Sequence, residues 1–341
     1  MRSVSRAMPS VLLVVSLFAL PASAWIRGSP ATFATLPDGA AFPEGITADA
    51  SGNLFVSTFD VSASAGPGRL FVFAPSGQLL RQLDVAGSTS FLLGLAFHPS
   101  TGALLVIDFG GKAVRQVDPI TGASSVFAAI PGGGAAGPNA LAFDKAGNVY
   151  ISDSFQGVIW RTGKQGGSVS AWVSSDLLTT AGVPPFGANG LGFNRAETVL
   201  FVANTGNDTV VRISVDKKGD AADVGVFVNS INGADGLLVD DNDNLWVAAN
   251  QADEIVVVDP SGRAIAKLGD FGGLDSSGAP RGFLFPASLV RSGDFIYVTN
   301  LALDLRLFGF APSVDSPWAA AVRKYTVARI AAQLPPVPGL R

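Results

Sequence analysis

The chain contains no cysteine, one histidine and two methionines among its 341 residues. Without cysteine it can form neither disulfides nor a thiolate metal centre, so its stability must come from a packed core. A chain of this size can build one, because large domains bury roughly three quarters of their surface. The single histidine, His98, excludes a histidine dyad. Charged residues make up only 15%, with a formal net charge of −4. No lysine or arginine run stands out, which argues against nucleic acid as a partner. An apolar run of roughly 20 residues, long enough to span a bilayer, is also missing. The nearest, 11–20, follows Arg2 and Arg6 and precedes Ala22-Ser23-Ala24, the pattern of a secretory signal cleaved near Ala24. Residues 1–24 are therefore expected to be a signal peptide, and the mature chain secreted, periplasmic or in an endomembrane lumen. Beyond that segment, no helical periodicity is sustained.

What the chain does have is 40 glycines, 21 prolines and short runs rich in Val, Phe, Ile and Leu, the composition of a turn-rich all-β protein. One phrase recurs six times: Glu44-Gly-Ile-Thr-Ala-Asp, Leu93-Gly-Leu-Ala-Phe-His, Asn139-Ala-Leu-Ala-Phe-Asp, Asn189-Gly-Leu-Gly-Phe-Asn, Asp235-Gly-Leu-Leu-Val-Asp and Ala287-Ser-Leu-Val-Arg. Successive starts differ by 49, 46, 50, 46 and 52 residues. Such a period marks a radial repeat, and each unit divides into four short strands. The sequence thus predicts a six-bladed β-propeller over residues 31–329. The sixth unit ends with a third strand near 323–329 and lacks a fourth. The segment Ala31–Leu36 is expected to supply it and close the ring, leaving 330–341 as a Pro-rich tail.

A repeat that places equivalent residues around one axis brings the first residue of each phrase toward a common point. Four of the six, Glu44, Asn139, Asn189 and Asp235, carry side-chain oxygens. Two carboxylates and two amides, with no His or Cys, form a hard-oxygen set suited to calcium, although another divalent metal is compatible. Leu93 and Ala287 complete the ring and cannot ligate, leaving room beside an ion. The competing reading is that the four polar residues only cap strand starts.

A second register, Thr58, Asp108, Asp153, Asn204, Asn250 and Asn300, closes the second strands. These residues are expected mainly to cap turns, with Asp153, Asn204 and Asn250 also candidate pocket residues. The long loops 59–68, 176–188, 270–286 and 301–320 fall on the face of the four oxygen donors. They carry Phe186, Phe271, Phe283, Phe285, Phe308, Phe310 and Trp318. His98 falls in a turn on the opposite face, too far for catalysis. Gly132-x-Gly134-x-x-Gly137 lacks the following helix that a dinucleotide site needs, and Asp240–Asn244 reads as a turn. Asn207-Asp-Thr is a candidate glycosylation sequon.

The phrases Pro43-Glu44-Gly, Pro138-Asn139-Ala-Leu, Ala188-Asn189-Gly-Leu and Ala234-Asp235-Gly-Leu resemble the senescence-marker-protein/gluconolactonase/paraoxonase-like propellers, related to strictosidine synthases. The resemblance spans the mature chain. It implies a calcium-dependent lactonase or esterase with metal ligands at Glu44, Asn189 and Asp235. It also implies that Asn139 contacts the substrate or a water of the metal, and that Asp235 serves as a base or water-orienting carboxylate. Sugar lactonases of the group carry an arginine two residues before the third-blade Asn, where this chain has Gly137. Paraoxonases use a histidine dyad, which a single His98 cannot form. With the aromatic loops, these departures favour a small, less polar lactone or ester. Two alternatives stand beside that reading: a non-catalytic propeller that binds a ligand or protein, and a biosynthetic enzyme of strictosidine-synthase type.

Overall fold

The computed structural model describes residues 28–63 and 65–334; the expected signal peptide lies outside them. Six four-stranded antiparallel sheets form the blades. Their innermost strands are Pro43–Ala48, Leu92–Phe97, Pro138–Phe143, Ala188–Phe193, Ala234–Val239 and Pro286–Ser292. Each touches the next, and the sixth returns to the first, so the ring is closed. The architecture is the six-bladed β-propeller predicted from the repeat.

Local sequence explains the strands. The second strands, such as Leu54–Thr58, Leu104–Asp108 and Val149–Asp153, are buried at every residue. They are short apolar runs bounded by turns, as strands covered on both faces must be. Outer strands such as Leu79–Asp84 lie toward solvent, with only Leu83 buried. In the first, third and fifth blades an aspartate organises the turn between first and second strands. The Asp49 carboxylate accepts from the backbone N–H groups of Ser51 and Asn53, and the Asp144 carboxylate from that of Asn148. Gly52 and Gly147 supply the left-handed backbone these turns require. Asp240 makes the same bonds to Asn242 and Asn244, so the Asp240–Asn244 segment is a turn.

Ring closure follows the expected scheme. Ala31–Thr35 pairs antiparallel with Thr326–Ala331, giving the sixth blade its outer strand and leaving no open edge between chain ends. Two details differ from expectation. The third strand of that blade begins later and continues through Ala331, where Ile330 is buried against Ile296, so the propeller reaches two residues past 329. The connection 270–286 is also not a bare loop: Phe271–Leu274 and Pro280–Gly282 form a small hairpin, whose Asp275 turn uses the same capping chemistry. Among the described residues, no helix is long and apolar enough to cross a membrane.

Candidate metal site on the propeller axis

In all six blades, the pairing of the two inner strands slips just after its first residue pair: Pro43↔Thr58, Leu92↔Asp108, Pro138↔Asp153, Ala188↔Asn204, Ala234↔Ala249 and Pro286↔Asn300. The next residue, which opens each repeat phrase, lies within that irregularity. Such an interruption re-aims a side chain out of the ladder. The following position is glycine in four blades because the neighbouring strand is so close. A Cβ on Gly45 would lie 2.4 Å from the Leu93 carbonyl oxygen, and one on Gly236 2.7 Å from that of Ala287. Hydroxyls tie the blades together at this level: Ser57 donates to the Leu93 carbonyl and Thr299 to that of Glu44, each at 2.6 Å.

Glu44, Asn139, Asn189 and Asp235 line a single cavity of about 40 Å³ with Leu93 and Asn250. That space exceeds the roughly 10–15 Å³ that one water needs. All four donors are at most 5% exposed. The two amides are held by their nitrogens: Asn139 Nδ2 donates to Ser154 Oγ at 3.1 Å and Asn189 Nδ2 to Thr205 Oγ1 at 3.0 Å. Those hydroxyls donate onward to the carbonyls of Ala188 and Ala234. Asp235 Oδ2 accepts from Asn250 Nδ2 at 2.9 Å. Glu44 Oε2 and Asp235 Oδ1, both buried, have no hydrogen-bond partner. Two unpartnered carboxylate oxygens in one cavity are costly unless a proton or cation satisfies them. Burial, then the charge of Asp235, holds the Glu44 carboxyl well above the usual carboxylate range. Burial lifts Asp235 to about 7, against the lowering effect of its bond to Asn250 and of the nearby Asn189 amide. This donor set fits a hard divalent cation. The chain has no cysteine and a single histidine, which is engaged in its own turn, so the cavity offers oxygen donors; among the described residues no three His, Cys, Asp or Glu side chains cluster.

The other expected pocket residues divide. Leu93 and Asn250 are on the cavity wall. The Asn250 Oδ1 faces Gly233, so Asn250 orients Asp235 through its amide nitrogen. Asp153 and Asn204 do not line the cavity; they fasten turns. Asp153 Oδ1 accepts from the backbone N–H groups of Gly137 and Gln156, and Asn204 Nδ2 donates to the carbonyls of Leu177 and Thr179. Ala287 is buried at the sixth ring position, but the wall there is formed by Phe285, Leu301 and Leu303. His98 is buried in its turn, with Nε2 2.9 Å from the Gly147 carbonyl oxygen and Nδ1 accepting from the N–H groups of Ser100 and Thr101. Asn207 is on an exposed turn, its amide nitrogen donated to the Thr179 carbonyl.

The aromatic mouth differs from the one expected. Phe186 and Phe285 line the cavity, but so does Phe59. Phe59 packs on Phe109 at 5.8 Å, and Phe109 and Phe155 both pack on Phe186. Phe59, Phe109 and Phe155 stand one or two positions after Thr58, Asp108 and Asp153, a register visible in the repeats. Phe283 is instead a core residue of the fifth and sixth blades, and Phe271 pairs edge-on with Trp318 away from the cavity. The ring of Phe155 fills the space beside Gly137, where a Cβ would meet it at 2.8 Å.

Behind Phe285 lies a second acid pair. Asp253 Oδ1 accepts from the Phe285 backbone N–H at 2.7 Å. Burial, then the charge of Asp315, pushes Asp253 up to about 8; burial also raises Asp315. The folded chain therefore keeps a proton that the unfolded chain has released, and stability falls as pH rises from about 4 to 8. Asp253→Asn keeps an acceptor for Phe285 and removes the titration. In saturating calcium its melting temperature is expected to fall by a few degrees less than that of wild type between pH 5 and 8.5. Parallel melting curves would show that the pair does not hold the proton.

The family described as "SMP-30/Gluconolactonase/LRE-like region" matches residues 92–269, more than half of the chain. Curated proteins include no sequence match. Among solved structures, a luciferin-regenerating enzyme superposes with a TM-score of 0.63 at 17% identity, covering 89% of this chain and 95% of its own. A calcium-binding protein, regucalcin, from Agrobacterium tumefaciens gives 0.60 at 16%, covering 91% and 98%. A gluconolactonase from Xanthomonas campestris gives 0.58 at 16%, covering 88% of both chains. At such identities the likeness establishes the fold.

Proposed function

The chain belongs to the SMP-30/gluconolactonase/LRE-like family, and from that premise we propose that it is a calcium-dependent hydrolase of an apolar lactone or ester. The observation that carries this reading is the pair of buried, unpartnered oxygens, Glu44 Oε2 and Asp235 Oδ1, in one cavity with two nitrogen-tethered amides. Glu44, Asn139, Asn189 and Asp235 would hold the ion. When bound, calcium supplies a Lewis acid that polarises the carbonyl to be attacked. Asp235, steadied through Oδ2 by Asn250, would orient the attacking water and take up its proton. Asn139, fixed by Ser154, orients the substrate oxygen. Phe59, Phe186 and Phe285 exclude bulk water and receive the apolar part of the substrate. The calcium-binding regucalcin and the gluconolactonase among the structural neighbours support this reading.

Phe155 occupying the space beside Gly137 favours an apolar over a sugar lactone, since no cation can stand there to clamp a sugar acid. The test is hydrolysis of aliphatic, aromatic and sugar lactones with calcium and after chelation. Turnover of the aliphatic or aromatic members, lost on chelation and restored by calcium, is the expected result. A second reading, a non-catalytic binding propeller, draws on the exposed Leu307, Val314 and Trp318 of the 301–320 segment. Absence of turnover across the calcium-loaded panel would put that reading first.

A further inference from the structure

Most cations near the cavity mouth are already spoken for. Arg69 pairs with Asp60, Arg115 with Asp108 and Arg306 with Asp304, each at 2.8 Å. Lys112 is different: among the described residues no carboxylate lies within 4.0 Å of its ammonium. Its backbone is left-handed, with φ 54°, in the turn between the second and third strands of the second blade. Nζ lies 4.3 Å from the centre of the Phe109 ring, close enough for a cation–π contact. Phe109 in turn packs on Phe59 and Phe186, which line the cavity. One aromatic ring therefore separates the ammonium from the cavity wall.

The carboxylates nearest to Lys112 are occupied. Asp108 is bound by Arg115 and by the Thr89 hydroxyl; Asp153 by backbone N–H groups, Gln156 Nε2 and Trp160 Nε1. Partial burial lowers the Lys112 pKa from the ordinary lysine value, against the raising effect of Asp153 and Asp108. An ammonium that is partly stripped of water and lacks a counter-ion attracts an anion.

We propose that Lys112 is a specificity-determining residue that binds a carboxylate on the substrate, so that the preferred substrate is a flat apolar ester or lactone bearing an acid group away from the scissile carbonyl. This inference rests on the hydrolase reading of the cavity. The carbonyl enters between Glu44 and Asp235, the apolar body lies along Phe59, Phe109 and Phe186, and the acid reaches Nζ. An anion would otherwise be repelled by the two cavity carboxylates, so the arrangement belongs to the calcium-loaded protein.

Two measurements on calcium-loaded wild type, Lys112→Met and Lys112→Arg test it. In the first, phenylacetate and phenylacetamide are titrated by calorimetry. Wild type and Lys112→Arg should bind the acid about fivefold more tightly, the scale of one partly exposed ion pair, and Lys112→Met should lose that preference. In the second, KM is compared for a phenyl hemiester of a dicarboxylic acid and for its neutral methyl diester. The ratio should favour the acid by about fivefold in wild type and fall to about one in Lys112→Met. Equal binding of acid and amide by wild type overturns the proposal, as does a preference that survives in Lys112→Met, which would place the carboxylate on the ion. If the neutral diester is hydrolysed and the acid has no advantage, the proposal fails and the hydrolase reading stands. If neither ester is hydrolysed while a Lys112-dependent preference persists in binding, the anion site stands and the hydrolase reading fails.

Discussion

Calcium at about one hundred times its dissociation constant is expected to raise the melting temperature of the metal-free protein by roughly 4 °C. A ligand at that excess which binds only the folded form contributes about 2.7 kcal/mol, and with an unfolding entropy of about 2.1 cal/mol/K per residue, each kcal/mol moves a propeller of roughly 300 residues by about 1.6 °C. The variant Glu44→Gln gives the effect a sharper signature. In chelator, wild type confines two carboxylates whose pKa values are raised in the fold. Their folded values exceed the unfolded ones, so at neutral pH the pair costs stability, and that cost disappears as pH falls. Replacing Glu44 by neutral glutamine removes much of it, so Glu44→Gln should melt at or above wild type in chelator. In calcium the order should reverse, because the variant has lost a charged ligand. A variant less stable than wild type in both conditions would mean that Glu44 only caps its strand.

The second large effect is on turnover. Asp235→Asn retains an oxygen beside the cavity and a side chain of the same shape, but it cannot accept a proton. With calcium at saturation, kcat is expected to fall by about 10²-fold or more, within the usual 10²–10⁴ range for a positioned acid or base. Folding should survive, since Asn250 remains to partner the new amide. His98→Ala is the control. It empties a turn at the other end of the propeller and leaves the Gly147 carbonyl without its partner, so it should cost about 1–3 kcal/mol of stability with kcat unchanged below its melting point. Activity lost in His98→Ala and kept in Asp235→Asn would put the active face at the wrong end.

Much of this arrangement was legible in the repeat. Residues that open the same phrase in different blades must meet near one axis, so the repeat alone brings Glu44, Asn139, Asn189 and Asp235 to one cavity. Their common setting, a slip in strand pairing with a neighbouring strand against the next residue, is also periodic. Closure by Ala31–Thr35 was legible because that segment leads into Pro43-Glu44 much as Ser124–Ala129 leads into Pro138-Asn139. The aromatic mouth was less legible. The long loops point to Phe271, Phe283 and Trp318, whose rings pack on Gly269 or on one another. The rings that build the mouth, Phe59, Phe109 and Phe155, follow immediately on buried strand ends, where a Phe reads as core. Asp153 and Asn204 were ambiguous for a related reason: an Asp or Asn at a strand end can turn its oxygen toward the axis or into the next turn, and backbone N–H groups in need of acceptors decided for the turn. Lys112 gave no periodic signal at all.

The most direct test of the shared cation is a crystal grown in saturating calcium. The account predicts one strong density peak between Glu44 Oε2 and Asp235 Oδ1, with direct ligands at about 2.3–2.6 Å and the oxygens of Asn139 and Asn189 turned toward it. A structure in which the Glu44 and Asp235 oxygens share a proton or bind only water at the same calcium concentration would contradict it.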